Sequence, residues 1–159
     1  MSDVLALLVS LALSFAAAGV GGLATARGLR GWYGTLAKPR WTPPSWVFAP
    51  AWTVLYAAMA VAAWLVWRER GAAEVAIPLA WYALQLALNV AWSVVFFGLR
   101  SPMAGLAVIV LLWWAIAGTI AAFAPVSPLG ALVLLPYLAW VTFATALNAA
   151  IAAANRRGA

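Results

Sequence analysis

Read at helical spacing, three stretches of this sequence put polar side chains and aromatic rings on shared faces. One aligns Tyr82, Gln85, Asn89, Trp92, Ser93 and Phe96; a second aligns Tyr137, Trp140, Ala144 and Asn148; a third aligns Trp52, Tyr56, Met59 and Ala63. Residues three, four and seven apart lie on one side of an α-helix. The amides of Gln85, Asn89 and Asn148 are costly against hydrocarbon and belong inside a bundle. Their aromatic neighbours follow them in. Three mixed aromatic–polar faces in one small protein suggest a shared cavity.

The missing residue types narrow the chemistry further. The chain has no Cys and no His. Disulfides, zinc sites, His- or Cys-ligated haem and a Cys or His nucleophile–base arrangement are therefore outside its means, and no metal site is expected. Its acids are Asp3, Glu69 and Glu74, all outside or at the ends of the apolar runs. An ion-driven transporter usually keeps an ionisable group within the membrane, and these runs offer none. No Lys lies in a run to carry a Schiff base.

The elements that must position these faces follow from composition. Of 159 residues, 68% are hydrophobic and 8% charged, with a mean hydropathy of +1.03. A soluble domain is about 25% charged, so the chain reads as a single all-α domain in a lipid bilayer. A spanning helix needs about 20 mostly apolar residues. Five runs qualify, at 4–25, 46–67, 75–97, 103–124 and 129–154. Ser101-Pro102 and Ser127-Pro128 each read as an N-cap followed by proline at the first helical position. The first run reads as a retained span, since Arg27 and Arg30 follow it as a stop-transfer flank.

The formal charge of +6 reflects topology, not nucleic acid. Seven basic residues lie on one side: Arg27, Arg30, Lys38, Arg40, Arg100, Arg156 and Arg157. Only Arg68 and Arg70 lie on the other. The positive-inside rule then places the N-terminus outside and the C-terminus in the cytoplasm. Ser10, Ser14, Ala18, Gly22 and Ala26, at intervals of four, form a small-residue stripe suited to close helix contact, within the bundle or between subunits. Pro136 should kink the fifth span and free the Leu132 carbonyl, and Pro50 should act similarly early in the second. The long first loop, 26–45, carries Trp32, Tyr33, Trp41 and three prolines, and reads as a structured cap with one helical turn near Tyr33–Ala37. Trp32, Trp41, Trp46 and Trp67 lie near helix ends, as an interfacial belt or loop packing requires. Trp52, Trp92 and Trp140 lie deeper and are expected to line the cavity.

At this point the residues resemble a known family. Trp32-Tyr33-x4-Lys38-Pro39-x-Trp41-Thr42-Pro43-Pro44, followed by Trp52 in a span, is similar to the TspO family of tryptophan-rich sensory and translocator proteins. So are Asn89-Val-Ala-Trp92-Ser93 and Pro136-Tyr137-x2-Trp140-x3-Ala144-x2-Leu147-Asn148. The resemblance implies a five-helix bundle, usually a homodimer, with a pocket beneath the first loop that binds porphyrins such as protoporphyrin IX. Carried over by position, the pocket includes Tyr33, Pro43, Trp52, Tyr56, Asn89, Trp92, Ser93, Trp140, Ala144 and Leu147. Tyr56 and Trp92 stand where some members have Phe. The segment matching the C-terminal sterol motif of animal members, Leu147-Asn148-Ala149-Ala150-Ile151, lacks its Tyr, and no sterol recognition is expected.

The expected function is that of a membrane tetrapyrrole-binding protein acting as sensor, regulator or transporter. No cofactor is required beyond porphyrin as ligand, and Lys38 and Arg40 are the nearest cations for its propionates. The alternatives are an enzyme degrading porphyrin with light and oxygen, with Trp52 and Trp140 as candidate redox partners, and a small-molecule facilitator or exporter. Helical spans favour a bacterial plasma membrane, and the resemblance also admits an outer membrane, as for some members.

Overall fold

A computed structural model describes residues 2–69 and 74–156. Among them the helices are α1 (Asp3–Leu29), α2 (Trp32–Thr35), α3 (Phe48–Glu69), α4 (Ala76–Ser93), α5 (Pro102–Phe123), α6 (Pro128–Val133) and α7 (Leu135–Ala154). A 3₁₀ turn, Ser45–Val47, leads into α3, and a π turn, Val94–Gly98, extends α4. Five segments are long and apolar enough to cross a membrane: Asp3–Leu29, Ser45–Glu69, Ala76–Gly98, Pro102–Phe123 and Pro128–Ala154. The chain is an all-helical, five-span membrane protein, as its composition requires. Arg70 and Arg157, used in the charge count, lie outside the described residues.

The serine–proline signals act as expected. Ser101 Oγ accepts the Ala104 N–H at 3.4 Å, Ser127 Oγ accepts the Gly130 N–H at 3.3 Å, and each is followed by proline in the first turn. Pro136 interrupts the last span, which breaks at Leu134 between α6 and α7. Pro50 does not behave as expected. It sits in the first turn of α3, where its missing N–H has no intrahelical partner to lose, and the 3₁₀ turn before it makes the bend instead.

Two expectations about α1 need correction. The helix continues four residues beyond Thr25, because Gly28 is packed: a Cβ there would lie 2.8 Å from the Phe97 Cβ. Arg27 in this last turn also complements the helix dipole. The buried residues of α1 are Ala6, Ser14, Gly21 and Gly28, and the last three step by seven, not by four. At about 100° per residue, steps of four drift by roughly 40° each, while steps of seven drift by only about 20°. Gly22, on the four-residue stripe, is exposed on the outside of the bundle, with nothing within 4 Å of where its Cβ would stand.

Around the bundle the order is α1, α3, α6–α7, α5 and α4, with α4 closing the ring against α1. α3 and α4 meet only sparsely, and α1 lies across the slot between them. At the end carrying Asp3, α1 leans on α3: Trp64 Nε1 donates to the Asp3 carbonyl at 3.0 Å, and Arg68 Nε lies 3.5 Å from its carboxylate. Towards the end carrying the first loop it leans on α4 and the π turn, through Gly21 on Ser93 and Gly28 on Phe97. This diagonal course leaves a gap beside α4 at the far end and a gap beside α3 at the loop end.

Candidate functional site

The three polar–aromatic faces converge. Tyr56 on α3, Gln85, Asn89 and Trp92 on α4, and Tyr137 and Asn148 on α7 are all buried. A hydrogen-bond chain joins them. Tyr56 Oη donates to Asn89 Oδ1 at 2.8 Å, Asn89 Nδ2 donates to Tyr137 Oη at 2.7 Å, and Tyr137 Oη donates to Gln85 Oε1 at 2.9 Å. Both phenol protons are committed, so Tyr56 presents a lone pair, not a proton, to anything beside it. A second link runs from Trp92 Nε1 to Asn148 Oδ1 at 3.1 Å, and from Asn148 Nδ2 to the Pro102 carbonyl at 2.7 Å. Asn148 thus ties α7 to the start of α5, the packing role its position suggested. Buried polar groups need such partners, since an unsatisfied one costs about 1–3 kcal/mol. Gln85 Nε2, Trp140 Nε1 and Tyr33 Oη are buried without one among the described residues.

The gap beside α3 is a cavity of about 280 Å³. Trp52, Tyr56, Asn89 and Ser93 line it, with Phe48 at its loop end and Gly21, Gly22 and Thr25 of α1 opposite. The gap beside α4 is larger, about 400 Å³, and lies between α1 (Ala6 to Ala17), Ala63, Trp67 and the outer turns of α4. Its hydroxyls are both engaged: Ser10 with the Ala6 carbonyl at 2.9 Å, and Tyr82 with Ser14 at 2.6 Å. Size alone favours the larger gap. The polar groups that orient a ligand are concentrated at the smaller.

A third space, directly beneath the first loop, is nearly closed at about 20 Å³. It is lined by Tyr33, Phe48, Trp92, Ala144 and Leu147 among others. The residues expected to form one pocket are therefore divided, with Phe48 as the shared wall. Trp52 bridges the two groups, its ring centroid 6.1 Å from that of Trp92 and 5.9 Å from that of Tyr56. Trp140 lines neither space; its ring packs behind Phe48 at 6.2 Å and against Phe143 at 5.7 Å. Pro43 is partly exposed in the loop and lines neither space.

The loop is structured, as its sequence suggested, with its helical turn at Trp32–Thr35. Lys38 holds it from within. Its Nζ donates to the carbonyls of Tyr33 at 2.7 Å and Leu36 at 3.1 Å, and lies 4.9 Å from the Tyr33 ring centroid. An ammonium so engaged is not free for a propionate, while Arg40 remains exposed. Burial pushes the Tyr33 pKa up, so its hydroxyl stays neutral. Asn155 pins the loop from the end of α7, accepting from Ala37 N–H at 3.1 Å and donating to the Ala37 carbonyl at 3.0 Å.

Several contributors were hidden in the sequence. Phe48, Thr25 and Ser45 sit at span ends, where such residues read as boundary markers. The π turn was unmarked too. Its i→i+5 bond, Leu99 N–H to Val94 carbonyl at 2.8 Å, lets the adjacent Phe96 and Phe97 both turn inward. The only hint was two neighbouring rings at the end of an amphipathic face.

Comparison with known proteins agrees with this architecture. The sequence profile of the TspO/MBR family matches residues 8–154. The chain is 42% identical to the tryptophan-rich protein TspO of Chlorobaculum tepidum over 157 residues, covering 96% of this chain and 98% of the relative. It is 48% identical to the human translocator protein over 123 residues, 76% of this chain and 72% of that protein. With the tryptophan-rich sensory protein of Cereibacter sphaeroides it shares 44% identity over 117 residues, 74% of this chain and 72% of that protein. With five membrane-spanning helices and a family match across nearly its whole length, the chain belongs to the TspO/MBR family.

Proposed function

We propose that this protein is a membrane receptor for a flat, largely apolar tetrapyrrole of the protoporphyrin IX type, acting in porphyrin sensing, regulation or transport. The observation that carries the reading is the 280 Å³ cavity walled by Trp52 and Tyr56 and floored by Asn89, which the hydrogen-bond chain through Tyr137 to Gln85 holds from behind. Small-molecule sites run from about 300 to 1,000 Å³, so this cavity is at the lower edge. A macrocycle needs Phe48 to swing aside and join the cavity to the space under the loop, which brings Trp92, Ala144 and Leu147 into contact with it. Asn89 still has one N–H to give, and Tyr56 a lone pair, so the floor offers one donor and one acceptor. A positive-inside orientation puts the loop in the cytoplasm, in a bacterial plasma membrane, and the resemblance implies a homodimer.

Titration of the purified protein with protoporphyrin IX, read as quenching of tryptophan fluorescence, tests this. The proposal expects saturable quenching that weakens in Trp52→Phe and Asn89→Leu. Quenching in the wild type that never saturates contradicts it.

A further inference from the structure

The cavity beside α3 opens sideways through a largely apolar rim, and unbonded hydroxyls line it. Phe15, Gly22 and Ala26 of α1 and Ala49 and Thr53 of α3 line its open side, and Phe15, Gly22, Ala49 and Thr53 are exposed on the bundle's outer surface. Three further hydroxyls line the cavity: Thr25, Ser45 and Ser93. Thr53 gives its proton to the Ala49 carbonyl at 2.9 Å. The hydroxyls of Thr25, Ser45 and Ser93 make no hydrogen bond among the described residues. Threonine in a helix ordinarily bonds the carbonyl one turn back, as Thr119, Thr142 and Thr145 do here at 2.7–2.8 Å. Thr25 does not, and it faces the cavity instead.

The route through the loop is shut by contrast. Trp32 and Tyr33 pack on Phe96 at 5.6 and 6.3 Å, Tyr33 packs on Phe48 at 6.4 Å, and Lys38 and Asn155 fasten the backbone above them. A ligand crossing this lid must undo ring packing and at least four hydrogen bonds. A ligand dissolved in the loop-side leaflet meets only the gap between α1 and α3.

We infer that this gap is a lateral doorway and subsite: a bilayer-dissolved, planar apolar molecule enters between α1 and α3, and the Thr25, Ser45 and Ser93 hydroxyls take its hydrogen-bonding edge. The identity of the ligand as a tetrapyrrole rests on the function proposed above; the doorway itself does not. Gly22 is the residue that keeps the door open. It lines the cavity, lies on its exposed side, and has nothing within 4 Å of its Cβ position, so a large side chain fits there without disturbing the fold. Gly19 is equally open but lines neither cavity, and serves as control.

The test uses a hydrocarbon diazirine dissolved in nanodisc lipid, photolysed without any ligand, with adducts mapped by mass spectrometry. Carbene adducts are expected on Trp52 and Tyr56 although Tyr56 is only 4% exposed. Gly22→Leu should cut these adducts at least about fivefold, because van der Waals filling of the gap excludes the reagent. Gly19→Leu and the lid-loosening Asn155→Ala should leave them unchanged. Adducts absent from the wild type, insensitive to Gly22→Leu, or appearing only with Asn155→Ala overturn the doorway. A Thr25→Val, Ser45→Ala double variant should weaken protoporphyrin IX binding by about fivefold or more, two lost hydrogen bonds being worth this much, with adducts unchanged; undiminished affinity overturns the hydroxyl subsite. If the wild type takes adducts but binds no porphyrin, the tetrapyrrole reading fails and the doorway stands.

Discussion

The two cavities flanking α1 arise from one geometric cause and differ in chemistry. Both exist because α1 crosses the slot between α3 and α4 diagonally. The far-end cavity, at about 400 Å³, has only engaged hydroxyls; the loop-end cavity, at about 280 Å³, has free hydroxyls and an amide floor. Volume follows from how far two helices diverge. Recognition follows from which polar atoms the packing leaves over. A hydrocarbon hole can be filled by lipid chains without orienting them, whereas the smaller cavity can hold a molecule in one pose. The site of interest is the smaller cavity for that reason.

The strongest way to break this contrast is at its floor. Asn89→Leu removes the amide that lines the cavity and leaves the Tyr56 proton without its acceptor, while Tyr137 still donates to Gln85; it should weaken ligand binding by about 10- to 100-fold, at about 1–3 kcal/mol for a lost or unsatisfied buried polar group. Leu86→Ala should leave affinity within about twofold, because Leu86 lines the far-end cavity and not the loop-end one. Equal losses in the two variants, read by fluorescence titration, would remove the distinction.

Next in size is the packing that makes α1 run diagonally. Gly28→Ala places a Cβ 2.8–3.0 Å from Phe97, its carbonyl oxygen included. It should destabilise the fold by about 1–3 kcal/mol, as overpacking does. Gly22→Ala has open space in mid-helix and should be neutral or stabilise by up to about 1 kcal/mol. Thermal unfolding in one detergent compares them directly, and an equal shift in both would refute the seven-residue packing line.

A smaller effect separates lid from floor. Asn155→Ala removes both side-chain bonds to Ala37 and should loosen the loop by about 0.5–1.5 kcal/mol per bond. Hydrogen exchange should quicken around Ala37 and Lys38 and stay unchanged around Asn89. The smallest effect is at the far end, where Arg68 pairs with Asp3 in an exposed setting. Arg68→Gln should cost no more than about 1 kcal/mol and leave ligand affinity alone.

Much of the fold was legible because lipid imposes it. A five-span count, two serine–proline caps and a proline break all follow from apolar run length and backbone chemistry. Gln85, Asn89 and Asn148 were also legible as inward-facing, since amides at helical spacing in apolar runs have nowhere else to go. Which side of α1 packs was not. Small residues occur at intervals of four and of seven, and only the neighbour, Ser93 or Phe97, decides between them. Trp140 illustrates a second limit. Its helix face was read correctly, yet Phe48 stands between it and the cavity, and a periodicity argument on one helix cannot see a ring contributed by another. Lys38 illustrates a third: a cation near a site in sequence was spent on loop carbonyls, which leave no trace in side-chain types.

The central claim is that ligand binds beside Trp52 in the loop-end cavity. It is tested most directly by comparing two proteins that each keep one tryptophan, Trp52 in the cavity wall or Trp114 on the outer surface, 65% exposed. Both are titrated with protoporphyrin IX in nanodiscs. The account predicts saturable quenching of Trp52 and only shallow, non-saturating quenching of Trp114. Curves of the same shape for both would contradict it.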